Sequence, residues 1–158
     1  MRKSDAGEII PLLEELRKQY YTLGQNMVFE KNITILQARC LYRISKNSPS
    51  NMNILKKELA VTGACVTNIV DELVRKKFVS RERDRRDRRI IDVFITENGL
   101  RCIREMNCTQ SRFIKSLIKI IGAKEIKVVK YGLSVLVFSL RKLFTANEYR
   151  LVRVGSKK

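Results

Sequence analysis

From Ile9 the apolar positions Ile9, Leu12, Leu13, Leu16, Tyr20, Leu23 and Met27 recur at steps of three and four residues, the period of an amphipathic helix. The spacing predicts a first helix over residues 4–28. Thr34 and Gln37 stand three residues apart ahead of the next apolar stripe. That is capping-box spacing, which satisfies two otherwise orphaned backbone amides. A second helix therefore runs to about residue 45, burying Leu36, Cys40, Leu41 and Ile44. The run Asn47-Ser48-Pro49-Ser50-Asn51 is turn chemistry, Asn53 is placed to cap a short third helix through residue 60, and Thr62 caps a fourth over residues 63–76.

In the fourth helix Val66, Ile69, Val70 and Leu73 form one apolar stripe, which leaves Ala64, Thr67, Asn68, Asp71 and Arg75 on other faces. Small polar side chains there suit an element that enters a DNA groove, because Thr and Asn can approach base edges while Arg and Lys elsewhere hold phosphates. Taken alone, the segment reads equally well as an ordinary surface helix. Residues 78–82 and 90–95 have strand-like apolar content on either side of a charged run with two aspartates, a hairpin with its tip. Thr96 then caps a long helix in which Leu100, Ile103, Met106, Phe113, Leu117 and Ile121 keep helical spacing, and Gly122 breaks it. A last helix over residues 123–145 carries Ile126, Val129, Leu133, Leu136, Val137, Leu140 and Leu143, a stripe richer than a lone surface helix needs. Together with the equally apolar first helix it reads as a subunit interface. The predicted class is mainly α with one small β-hairpin.

The 158 residues fit one domain, long enough to bury a core without staples. With 33 basic and 16 acidic side chains the net charge is +17, which calls for a polyanionic partner. The charge is concentrated: residues 75–89 hold nine Lys or Arg against three acids and lead into the apolar run Ile90, Ile91, Asp92, Val93, Phe94, Ile95. A flexible polybasic tail would lack that apolar frame, and a membrane-surface protein would carry its charge on an amphipathic helix. The longest near-apolar run, residues 131–140, is half of the roughly 20 residues a membrane span needs. Glu14 and Glu15 interrupt the N-terminal region before an apolar stretch of signal-peptide length accumulates. No membrane partner and a cytoplasmic location are expected.

His is absent, and Cys40, Cys65, Cys102 and Cys108 show no C-x-x-C spacing, so the usual zinc ligand sets cannot be assembled. The commonest general base is missing, as are dinucleotide and phosphate-loop motifs. Neither an enzyme nor a metal or cofactor is expected. Cys65 falls in the first turn of the fourth helix, where the helix dipole favours a reactive thiolate. A cysteine on a helix is more commonly a small buried hydrophobe.

The order helix, helix, helix, recognition helix, basic hairpin, long helix, helix resembles the MarR (multiple antibiotic resistance regulator) family of winged-helix transcription factors over nearly the whole chain. The resemblance is carried by Ile33-Thr34-x-x-Gln37-x-x-x-Leu41-x-x-Ile44, by residues 62–73, by Asp87-Arg88-Arg89 and by Ile95-Thr96-Glu97-x-Gly99. It implies a winged helix-turn-helix lobe over residues 33–95 between dimerisation helices at 4–30 and 96–145. The partners implied are double-stranded DNA and a second copy bound through helices 4–28 and 123–145, with two lobes on a pseudo-palindromic operator, more often as a repressor.

On that likeness the recognition helix, residues 63–76 with its cap, would present Thr62, Ala64, Cys65, Thr67, Asn68, Asp71 and Arg75 to the major groove. The wing, residues 81–91, would bring Arg83, Arg85, Arg86, Asp87, Arg88 and Arg89 to DNA, with Arg85, Arg86 and Arg89 toward the minor groove. Independently, a narrow minor groove concentrates negative potential and draws in a guanidinium, and Asp87 two residues before Arg89 can orient it by a charge-assisted hydrogen bond.

The family further implies a small aromatic effector in a cleft formed here by Tyr20, Tyr21, Met27, Arg39, Tyr42 and Arg43. The simpler alternative is that the tyrosines pack in the core and the arginines bind phosphate. Three positions depart from the family pattern. Lys56 stands where a small Ala is usual, Asn68 where a basic residue is frequent, and Lys77 replaces the glycine that ends the recognition helix. A left-handed Lys77 would cost on the order of 1 kcal/mol. The rival function is a sequence-nonspecific architectural DNA-binding protein, which the charge would serve equally; the ratio of specific to non-specific affinity separates the two.

Overall fold

A computed structural model describes residues 3–83 and 90–145. Helix α1 (Lys3–Phe29) leads through a turn to α2 (Ile35–Lys46), whose start is the expected capping box. Thr34 Oγ1 accepts the Gln37 amide at 3.1 Å and Gln37 Oε1 accepts the Thr34 amide at 2.9 Å. Strand β1 (Ser50–Asn51), α3 (Met52–Leu59) and α4 (Gly63–Arg75) follow, then strands β2 (Val79–Arg83) and β3 (Ile91–Ile95), and helices α5 (Glu97–Ile121) and α6 (Glu125–Thr145).

The third helix begins two residues earlier than the sequence suggested. Asn51, not Asn53, is its N-cap, with extended backbone and a side-chain carbonyl that accepts the Ile54 amide at 2.9 Å. The same asparagine ends β1, where Ser50 pairs with Val93 and Asn51 with Asp92. The sequence reads as a turn there because a two-residue strand has no periodicity of its own and exists only through its partner. The sheet is antiparallel in the order β1-β3-β2.

The core lies among α2, α3, α4 and the sheet. Cys40, Leu41, Ile44, Leu55, Val70, Leu73 and Val93 have no exposed surface, and Val66, Ile69, Val70 and Leu73 are the buried stripe of α4 that the spacing predicts. Truncating any one of these leucines to Ala should cost about 2–5 kcal/mol. Helix α4 closes with a Schellman arrangement: Lys77 has φ +58°, its amide donates to Val74 O at 2.8 Å and the Phe78 amide to Leu73 O at 2.9 Å. The left-handed residue satisfies two terminal carbonyls and turns the chain into β2.

The segment Ile95-Thr96-Glu97-x-Gly99 owes its composition to the return of the chain past that turn. Thr96 donates its hydroxyl to Lys77 O at 2.7 Å and accepts the Gly99 amide at 3.1 Å, capping α5. A Cβ on Gly99 would sit 2.2 Å from the Phe78 carbonyl oxygen, so only glycine permits the approach.

The chain divides into two compact units at Ser111 and Arg112. The first holds α1 to α4, the sheet and the start of α5, where Cys102, Ile103 and Met106 are buried. In the second, α6 has no buried residue among those described, and Val129, Leu133, Val137 and Leu140 of its expected stripe are exposed. No helix among the described residues is long and apolar enough to cross a membrane.

Candidate nucleic-acid interface and the cavity beside α1 and α2

Helix α4 turns its apolar stripe inward, so Thr62, Ala64, Thr67, Asn68, Asp71 and Arg75 are all exposed, as is Arg83 on the hairpin. Cys65 differs: it is half-buried and packs against the core. Thr62 Oγ1 accepts the Cys65 amide at 3.3 Å as the N-cap. The remaining predicted wing residues, Arg85, Arg86, Asp87, Arg88 and Arg89, lie outside the described residues.

Several polar groups on the exposed face of α4 are already engaged. Thr67 Oγ1 donates to the Gly63 carbonyl at 3.0 Å, and Arg75 is ion-paired with Glu72 one turn back. Asp71 is ion-paired with Arg81 of β2, whose second terminal nitrogen donates to Thr67 O at 3.2 Å. Sequence reading passed over Arg81. It pairs across the ladder with Val93, two residues from Val79, both buried, so alternation along the strand puts it on the inner face. Its Nε is buried with no hydrogen-bond partner among the described residues. A basic residue in phase with Val79 was the available signal, but its acidic partner ten positions earlier is fixed only by the fold.

A cavity of about 500 Å³ opens beside α1, α2 and α5. Five of the six residues expected there line it: Tyr20, Met27, Arg39, Tyr42 and Arg43. Tyr20 and Tyr42 are about half exposed, not packed into the core. Tyr21 is not in the lining; it is exposed, and its hydroxyl accepts a hydrogen bond from Gln25 at 2.5 Å. Neighbouring positions on a helix point about 100° apart, which is why one tyrosine reaches the cavity and the next does not. Ile103, Met106, Asn107 and Gln110 of α5 complete the wall, and Gln110 donates to the Tyr20 hydroxyl at 2.7 Å. None of the residues expected at the cavity comes from α5.

Two thiols are buried, which disfavours their thiolate forms. Burial pushes the Cys40 thiol up to about 12 and also raises that of Cys102. Beside Cys102, Lys31 and Glu105 form an ion pair at 2.5 Å. The hydrogen bond between them raises the lysine above its ordinary value and lowers the carboxyl below its own.

Residues 33–91 match the sequence model described as the MarR family. Among curated proteins the chain is similar to YpoP of Bacillus subtilis (strain 168), described as an uncharacterized HTH-type transcriptional regulator. Identity is 29% over 82 residues, which span 52% of this chain and 58% of that protein's length. Among solved structures, a mutant of S. aureus MepR superposes with a TM-score of 0.76 at 21% identity, covering 82% of this chain and 96% of its own. Another MepR mutant, bound to an oligodeoxyribonucleotide, gives 0.68 at 21% identity, covering 82% and 95%. At this identity the structures establish the fold, mostly helical with a small antiparallel sheet.

Proposed function

We propose that the chain, whose residues 33–91 match the MarR family model, is a homodimeric, non-enzymatic transcriptional regulator, acting as a repressor, that reads a pseudo-palindromic operator. The observation that carries this reading is the exposed face of α4, braced by the Arg81–Asp71 pair against the hairpin that bears the basic run. The recognition helix enters the major groove and the wing arginines anchor phosphates and the minor groove. Each phosphate contact releases condensed counterions, so affinity falls steeply with salt. A MepR form with this fold was solved with an oligodeoxyribonucleotide, which supports the same use of the fold here.

Dimerisation is supported by large apolar side chains left in water, among them Ile9, Leu12 and Leu16 of α1 and Val129, Leu133 and Leu140 of α6. Large apolar side chains exposed in such number on each of the two helices mark interaction sites in soluble proteins. The cavity lined by Tyr20, Met27, Tyr42, Arg39 and Arg43 suits a small aromatic effector, with the rings and thioether for its apolar body and the arginines for a polar or anionic edge.

Selection from random duplex DNA tests the reading. It should yield two inverted half-sites about one helical turn, roughly 34 Å, apart, bound by two protein chains as counted by sedimentation. Enrichment without a shared sequence would favour an architectural role.

A further inference from the structure

Resting on the DNA-reading function proposed above, we infer that Asn68 is the base-reading side chain of the recognition helix and that the base it selects is adenine. Residues in the N-terminal half of such a helix contact base edges, and there the exposed face of α4 offers Thr62, Ala64, Thr67 and Asn68. Thr62 is engaged as the N-cap and the Thr67 hydroxyl proton is held by Gly63 O. Further along, Asp71 and Arg75 are ion-paired with Arg81 and Glu72. Among the described residues the Asn68 amide has no hydrogen-bond partner.

A carboxamide presents one donor and one acceptor side by side. In the major groove only adenine offers the matching acceptor N7 and donor N6 on one base, and Asn can take both at once. Guanine shows two acceptors and would leave the Asn68 carbonyl facing one of them. Ala64 lies one helical turn before Asn68 and Thr67 beside it; their methyl groups suit the C5-methyl of a neighbouring thymine. The neutralised Asp71 completes the case, because an unpaired carboxylate on this face would repel phosphates.

The experiment compares selections from random duplexes by the full-length protein, Asn68→Ala and Asn68→Arg. The wild type should fix an adenine in each half-site. Asn68→Ala should lose about five- to a hundredfold of discrimination at that position, with the rest of the site unchanged. Asn68→Arg should prefer guanine there, since Arg pairs with O6 and N7. Replacing the adenine by 7-deazaadenine should weaken the wild type and leave Asn68→Ala unaffected. A wild-type site without a fixed adenine, or an Asn68→Ala site that retains it, overturns the assignment while operator reading stands. If the wild type enriches no sequence at all, both fall together.

Discussion

Arg81 on β2 is ion-paired with Asp71 on α4 and also donates to the Thr67 carbonyl, so one guanidinium ties the hairpin to the exposed face of α4. The pair sits partly in water, with 26% of the arginine and 52% of the aspartate side chain exposed. Its contribution to stability is then small, about 1 kcal/mol or less. Its larger consequence, on the proposed function, is for binding, since Arg81→Ala strips the neutralising partner from a carboxylate on the face proposed to meet DNA. Affinity should fall about tenfold or more through like-charge repulsion, and the additional change Asp71→Ala should restore part of it. Titration of one duplex with the two single variants and the double variant measures the coupling; additive losses would contradict the brace.

Gly99→Ala should destabilise the protein by about 1–3 kcal/mol, the usual range for overpacking. The added methyl meets the backbone oxygen of Phe78 and not the end of a flexible side chain. Urea unfolding reads the shift in midpoint. A midpoint equal to the wild type would mean that the α5 start does not approach the α4–β2 turn as described.

Lys77→Gly should stabilise the fold by up to about 1 kcal/mol, because it removes the left-handed penalty of an L side chain at φ +58°. Part of the gain is offset by the greater freedom of glycine in the unfolded chain. Lys77→Ala keeps a Cβ at the position and should be close to neutral. Thermal or urea unfolding of the two variants side by side separates the backbone effect from loss of the charge.

The Lys31–Glu105 pair sets a pH window. Glu105 is lowered from its ordinary value of 4.5 by the hydrogen bond from Lys31, so its contribution is present above that value and disappears as pH falls through the folded value. Lys31 is raised from 10.5 by the same bond, so its contribution is present below that value and is lost as pH rises through the folded one. Both groups are exposed enough that the effect is modest. Unfolding of Glu105→Gln and wild type across pH should show a difference at neutrality that closes at acid and strongly alkaline pH. A difference independent of pH would assign the effect to packing.

Local chemistry made much of this fold legible. The Thr34–Gln37 capping box, the Thr62 and Thr96 caps and the Val66-Ile69-Val70-Leu73 stripe each depend on residues within a few positions of one another, and each is present as read. Lys77 was legible as a cost, since a position that must be left-handed is strained for any residue with a Cβ. What escaped depends on distant partners. Ser50–Asn51 is a strand only because Asp92 and Val93 lie beside it. Arg81 matters because Asp71 meets it from another element, and the cavity that Tyr20 lines takes part of its wall from α5, whose Gln110 donates to the tyrosine hydroxyl. Tyr21 shows the limit from the other side: identity and neighbourhood suggested the cavity, and one step of helix rotation removed it.

The most direct test of operator reading is the ratio of affinities for the selected duplex and a scrambled duplex of equal length and composition, titrated at one fixed salt concentration. A sequence-reading dimer predicts a ratio of about a thousandfold or more. Equal affinity for the two duplexes would contradict operator reading and assign the basic face to coating DNA without regard to sequence.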